Sequence, residues 1–286
     1  MARTRKIFGM FLALLLMASS AFASPVLGPG VNRIEFTNWE NAYHLVGGVY
    51  VPREAPGTIE VGDIFVGILR AQTITNGGLP IWGSDDIGPV FDQLSGYFIN
   101  QVVALPTDAS PALILGVPTV DPFGIISAAE LAAGVVMKLF ADDSSTIQDP
   151  RTVTSGIATS TDGDLWASLS MTEGYWWSTA PSNFGTIGEL GTNWFGFNVV
   201  DGVLGGLVKR NDPVENLYNL PVDVYGKSII VLNEDGSTNR FNGNNGWTFA
   251  SDDPAFLATP EPASMLLLGS GLLGLFAARR RKAAQN

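Results

Sequence analysis

The sequence predicts a mainly β body, an antiparallel β-sandwich-like domain with one packed α-helix, followed by a C-terminal transmembrane helix. Three observations predict it. Gly, Pro, Asn and Asp punctuate residues 24–258 roughly every ten positions, leaving apolar runs of strand rather than helix length. Several of those runs alternate apolar and polar residues, the period of a half-buried strand. One stretch alone combines a helix cap with a long helix-forming composition.

From the N-terminus, Arg3, Arg5 and Lys6 precede an apolar run from Ile7 to Met17 and the small-x-small triplet Ala21-Phe22-Ala23. That order is a secretory signal peptide over 1–23, cleaved after Ala23 by signal peptidase. The run is shorter than the roughly 20 residues a spanning helix needs, so it does not anchor the chain.

Candidate strands then follow at Arg33–Thr37, Leu45–Val51, Asp63–Thr75, Leu94–Leu105, Thr152–Ser160, Leu165–Met171, Thr192–Val200, Ser228–Leu232 and Gly246–Ala250. Strict alternation places Leu165, Ala167, Leu169 and Met171 on one face and Trp166, Ser168 and Ser170 on the other. Asp162-Gly163 supplies the positive φ of a tight hairpin between Thr152–Ser160 and this strand, and Asp235-Gly236 repeats the device. The helix is expected over about 128–141: Ser127 and Glu130 form a capping box, and Ala, Leu, Val, Met and Lys continue to Ala141.

Charge narrows the function. Of 16 Lys and Arg, seven lie at the two ends, whereas 26 of 27 Asp and Glu lie between residues 24 and 258, so the body carries 9 − 26 = −17. Such a body repels phosphate backbones, which excludes nucleic acid as a partner. The absence of Cys removes disulfides and thiolate catalysis. The single histidine, His44, sits in an apolar strand context and is read as structural, so no Ser-His-Asp triad is available. No catalytic residue, metal site or cofactor is assigned. Asp162 and Asp164, and the group Asn233, Asp235, Asn239 and Asn242, supply oxygen atoms without the spacing of a calcium loop, and are read as turn residues.

Seven Trp remain (39, 82, 166, 176, 177, 194 and 247). Trp166 and Trp194 fall on the more polar side of their strands, the arrangement of an indole that stacks on sugar rings.

The C-terminal segment is the most specific part of the chain. Thr259 precedes Pro260-Glu261-Pro262, then sixteen uncharged residues from Ala263 to Ala278, then Arg279, Arg280, Arg281 and Lys282. The two prolines remove backbone donors and hold the motif extended. The apolar run reaches about 24 Å as a helix, long enough to span when the flanking Arg stems snorkel. The basic residues keep the tail inside while the signal peptide sends the body out.

Residues 259–286, with motif, helix at 263–278 and basic tail at 279–282 in this order, resemble the PEP-CTERM sorting signal processed by exosortases. The resemblance implies transient anchoring in a bacterial inner membrane, cleavage near Pro260-Glu261-Pro262, and transfer to the outer surface or an exopolysaccharide matrix. It does not name the work of the body over 24–258. The leading expectation is a structural or adhesive surface protein, without catalysis. The alternatives are a carbohydrate-binding module that uses Trp166 and Trp194, and a glycosidase-like enzyme with paired carboxylates.

Overall fold

The computed structural model describes residues 25 and 27–259, except positions 55–56, 85–91, 109, 111, 143–147, 150, 185–188, 207, 209–221 and 233–245. The signal peptide, the motif Pro260-Glu261-Pro262, the helix expected over 263–278, the basic tail and the group Asn233, Asp235, Asn239 and Asn242 lie outside the described residues. Within those residues no helix is long and apolar enough to cross a membrane.

Thirteen strands are described: β1 (Gly30–Val46), β2 (Val49–Pro52), β3 (Gly57–Thr58), β4 (Ile64–Asn76), β5 (Leu79–Gly83), β6 (Gln93–Ala104), β7 (Leu113–Gly116), β8 (Val135–Asp142), β9 (Asp164–Ser178), β10 (Asn183–Phe184), β11 (Glu189–Asp201), β12 (Val224–Leu232) and β13 (Phe249–Thr259). Eleven of them form one sheet in which every pairing is antiparallel.

The sheet closes on itself. Its path runs β1-β13-β12-β11-β9, crosses β7 and β8 to β6, continues to β4, and returns through the β1–β4 pairing. Glu40 of β1 is therefore opposite Phe249 of β13 on one side and Gly67 of β4 on the other. Strands β7 and β8 share one place in the ring: β8 spans one end of β6 and β9, and β7 the other. The mainly antiparallel β expectation holds, but the architecture is a barrel rather than a sandwich. Long strands explain the difference, since β1 has 17 residues and β9 has 15, and long twisted strands curl until the sheet's two edges meet and satisfy each other.

Closure produces two apolar cores. The interior holds Ile34, Phe36, Leu69, Phe98, Trp176, Phe195 and Phe197, among others. A second core lies outside the barrel wall, where Trp39, Ile68, Tyr97, Ile99 and Val135 are covered by Ile126, Leu131, Ile157 and Trp247. Strand β4 is consequently buried on both faces, which is why Ile64 to Leu69 reads as a continuous apolar run instead of alternating. The covering loop is fastened by Asp121, whose carboxylate accepts from the Tyr97 hydroxyl and from the backbone N–H groups of Phe123 and Ile126. Burial first, and the Asp121 carboxylate second, push the Tyr97 hydroxyl well above its ordinary pKa.

Two expected elements differ. The helix over 128–141 is confined to Ala128–Ala132; its capping box at Ser127 and Glu130 forms as expected. Gly134 then adopts φ 85°, and residues 135–142 become β8. The β-branched and aromatic residues Val135, Val136 and Phe140 gain more from pairing with β6 and β9 than from continuing the helix. Conversely Thr152–Ser160, expected as a strand, is a helix over Val153–Ser160, started by a reciprocal Thr152–Ser155 cap. Ile157 of this helix packs on the outer core. The turn before β9 therefore leaves a helix, and Gly163 does not have the positive φ expected of it.

Candidate functional site

Among the described residues, no second apolar core like the outer one lies over the side of the barrel opposite to it. Strands β9, β11, β12 and β13 run side by side there. Their inward positions are filled by residues such as Trp176, Phe195, Phe197, Val224 and Leu257. Alternation sends the intervening positions outward, and five of these are aromatic: Tyr175 and Trp177 on β9, Trp194 on β11, Tyr225 on β12 and Phe256 on β13. All five are half-buried.

Register makes them a continuous strip. Trp177 and Trp194 are direct cross-strand partners and stack at 3.9 Å with an interplanar angle of 15°. Lys227 is opposite Trp194 on the next strand, with its Nζ 5.7 Å from the ring centroid, a cation–π contact. One step along, Tyr175 leans over Gly196, which has no Cβ to obstruct the ring. Tyr225 is opposite Gly196 from the other side and stacks with Phe256 at 5.6 Å. Beyond Phe256 the ion pair Arg33–Glu35, at 2.8 Å, borders the strip. Ile229, 40% exposed, adds apolar surface to β12.

Chemically this is a row of π faces and edges framed by charged and amide groups. Lys227 is exposed and covers one face of Trp194, the other being against Trp177. Asn198 on β11 donates from Nδ2 to the Thr172 carbonyl and stands at the same surface. Aromatic faces with hydrogen-bonding groups at their margins suit the C–H faces and hydroxyl edges of sugar rings.

Of the two indoles assigned to sugar contact, Trp194 is in this strip and Trp166 is not. Trp166 is 1% exposed and belongs to the interior core. The reason is a β-bulge: between β8 and β9, Leu139 and Phe140 are consecutive while their partners Ala167 and Leu165 are two apart. Trp166 is the extra residue, so it escapes the alternation that would have sent it outward. Trp39, Trp82, Trp176 and Trp247 are buried as well.

Trp177, Tyr175, Tyr225 and Phe256 were missed in the sequence. The signal was present for the first two, because where a strand pairs regularly, as β9 does here with β11, adjacent Trp176 and Trp177 point to opposite faces and Tyr175 shares the face of Trp177. The other two depend on the order of strands around the ring.

The remaining candidates are dispersed. His44 lies on β1 opposite Val51, and its Nδ1 is buried without a hydrogen-bond partner. Asp162 is held above the ordinary carboxylate range, by burial first and by the neighbouring Asp142 carboxylate second. Asp164 pairs with Ala141 at the start of β9. Among the described residues no three His, Asp or Glu side chains gather at metal-binding distance.

No curated protein matches the chain. Residues 258–282 match the PEP-CTERM protein-sorting motif. The match begins within β13, whose last residues Ala258 and Thr259 pair with Val31 and Gly30, so the barrel's final strand leads directly into the sorting segment. The motif implies a protein that is exported, associated with the membrane during sorting, and processed by an exosortase for the cell surface.

Proposed function

We propose that the processed protein is a non-catalytic component of the outer surface or extracellular matrix, and that its barrel adheres to exopolysaccharide through the aromatic strip. One observation carries this reading: five aromatic side chains from four neighbouring strands line up on a barrel face, while the opposite face is sealed by loops and helices. The sorting motif supports this reading, because it directs a protein to the cell surface, where glycan is within reach. The net charge of −17 in the body selects for neutral or weakly charged polymers, because a strongly anionic one is repelled.

The reading is tested by retention of the protein on purified exopolysaccharide. Loss of one stacking indole is expected to weaken retention about tenfold, the factor that corresponds to roughly 1.4 kcal/mol. Trp194→Ala and Trp177→Ala should each show it. Leu79→Ala, a truncation of an exposed side chain on β5, should not. Retention that ignores both Trp variants would remove the strip from the function.

Processing is tested separately. Extracellular material should have an intact mass ending near Pro260-Glu261-Pro262, after removal of residues up to Lys282 and beyond. A mass that still includes Arg279 to Lys282 in that material would contradict exosortase cleavage.

A further inference from the structure

The barrel has two ends, and the exit of the chain distinguishes them. Thr259 is the last residue of β13 and stands beside Gly30, the first of β1. Hydrogen bonds fasten this exit. The Thr259 hydroxyl donates to the Gly28 carbonyl at 2.6 Å, Asn32 Nδ2 donates to the same carbonyl at 2.8 Å, and Asn76 Nδ2, at the end of β4, donates to the carbonyls of Pro29 and Val31 at 2.9 and 3.1 Å. Thr259 and Asn32 are buried. The ladder therefore holds through its last residue, and the tether to the sorting segment starts at the barrel rim.

That tether is short. Only Pro260, Glu261 and Pro262 separate Thr259 from the apolar run that starts at Ala263, so the connection reaches at most about 14 Å when fully extended. A headgroup layer is about 6 Å deep, half the difference between a whole bilayer and its hydrocarbon core. With Ala263 at the hydrocarbon boundary, the rim stands no more than about 8 Å from the outer surface of the headgroups. The run from Ala263 to Ala278 is also shorter than the core, which draws the motif toward the lipid rather than holding it off.

This rim is apolar. Leu79, 70% exposed, begins β5 after the turn at Gly77 and Gly78 and is paired with Asn76. Ile81 on the same strand is exposed, as is Val31, which is paired with Ala258 of β13. Val200, near the end of β11, is exposed at the same end. Another exposed apolar group, Leu45, Val46 and Val49 of the β1–β2 hairpin, lies at the far end. Strand β13 separates the two with 11 residues, about 35 Å along the strand and about 25 Å along the axis at the usual barrel tilt, farther than the tether reaches.

We infer that in the membrane-associated precursor this end of the barrel is a lipid-contact surface, with Val31, Leu79 and Ile81 among the headgroups, an inference that rests on the sorting reading in which the segment after Thr259 is held in a membrane. Apolar side chains gain by leaving water for the interface, and the tether supplies the proximity that makes so small a patch sufficient. Even a myristoyl chain alone binds a bilayer only marginally, so these side chains hold the barrel down only while the tether is intact. Processing then frees the rim together with the rest of the barrel.

The chain has no Cys, so a single introduced Cys carries a reporter without ambiguity. Leu79→Cys, Val31→Cys and Val49→Cys, each in the full chain and labelled with a polarity-sensitive fluorophore, are reconstituted in phosphatidylcholine vesicles with and without a nitroxide high on the acyl chain. Quenching at positions 79 and 31 is expected to exceed that at 49 at least threefold, and Ile81→Glu should reduce quenching at 79 at least twofold. Vesicle flotation of the same samples separates two failures. A chain that does not float refutes the membrane-held segment and the contact with it. A floating chain that is quenched equally at 79 and 49, or is unaffected by Ile81→Glu, overturns the contact and leaves the sorting reading in place. Glycan retention is read at the aromatic strip and bears on neither result.

Discussion

Trp166→Ala is expected to destabilise the barrel by about 3–5 kcal/mol, the range for removing a large aromatic side chain from a packed interior. Trp194→Ala, half-buried on the outer face, is expected to cost less than about 1 kcal/mol, because its partners include a cross-strand ring and an exposed Lys227. Chemical denaturation of the two variants side by side measures the contrast. Trp166 borders the apolar interior space with Leu139, Leu169 and Phe197, so its loss enlarges a space already present rather than letting the wall collapse inward. Equal midpoints for the two variants would mean that the bulge does not turn Trp166 inward. The contrast also has a practical consequence: loss of glycan retention in Trp166→Ala would report unfolding, whereas loss in Trp194→Ala would report contact.

The second large effect is a stability that falls as pH rises. Burial alone displaces the Glu40 carboxyl from 4.5 to about 7. The folded state therefore holds a proton that the unfolded chain has released between these two values, and stability must decrease across that window. Below about pH 4.5 both states are protonated and the contribution is complete. Above about pH 7 the buried carboxylate is charged and the loss is complete, at roughly 3 kcal/mol for a displacement of this size. Carboxylates with lowered values, such as Glu130, which is bonded to Lys138 and Ser127, act in the opposite sense at lower pH, so the comparison is made against a variant. Glu40→Gln should match the wild type near pH 4.5 and be more stable than it at pH 8. A difference between the two proteins that is constant from pH 4.5 to 8 would rule out Glu40 as the source.

Both predictions rest on the same feature, the direction in which a strand residue points. Alternation reads that direction correctly where pairing is regular. On β11 it places Phe195 and Phe197 inside and Trp194 outside, as found. It fails at Trp166, where one extra residue in β9 shifts the phase. It also assigns no value to Glu40, because a lone carboxylate in an amphipathic strand looks like an ordinary solvent-facing position until the ring closes over it. The expected helix at 128–141 fails for a related reason: its cap is local and forms, but the fate of Val135 to Asp142 is decided by β6 and β9, which are distant in sequence.

By itself the sequence determined the β class, the positions of β4, β6 and β11, the capping box at Ser127, the acidity of the body and the sorting segment at its C-terminal side. All of these are encoded in short windows of residue type and period, or in summed charge. Tertiary structure decided the closure of the barrel, the burial of Trp166, the interior place of Glu40 and the alignment of Tyr175, Trp177, Trp194, Tyr225 and Phe256. Those depend on pairings such as Gly30 with Thr259 and Glu40 with Gly67. A two-residue period states that a strand has two faces, and only its neighbours in space decide which face is inside.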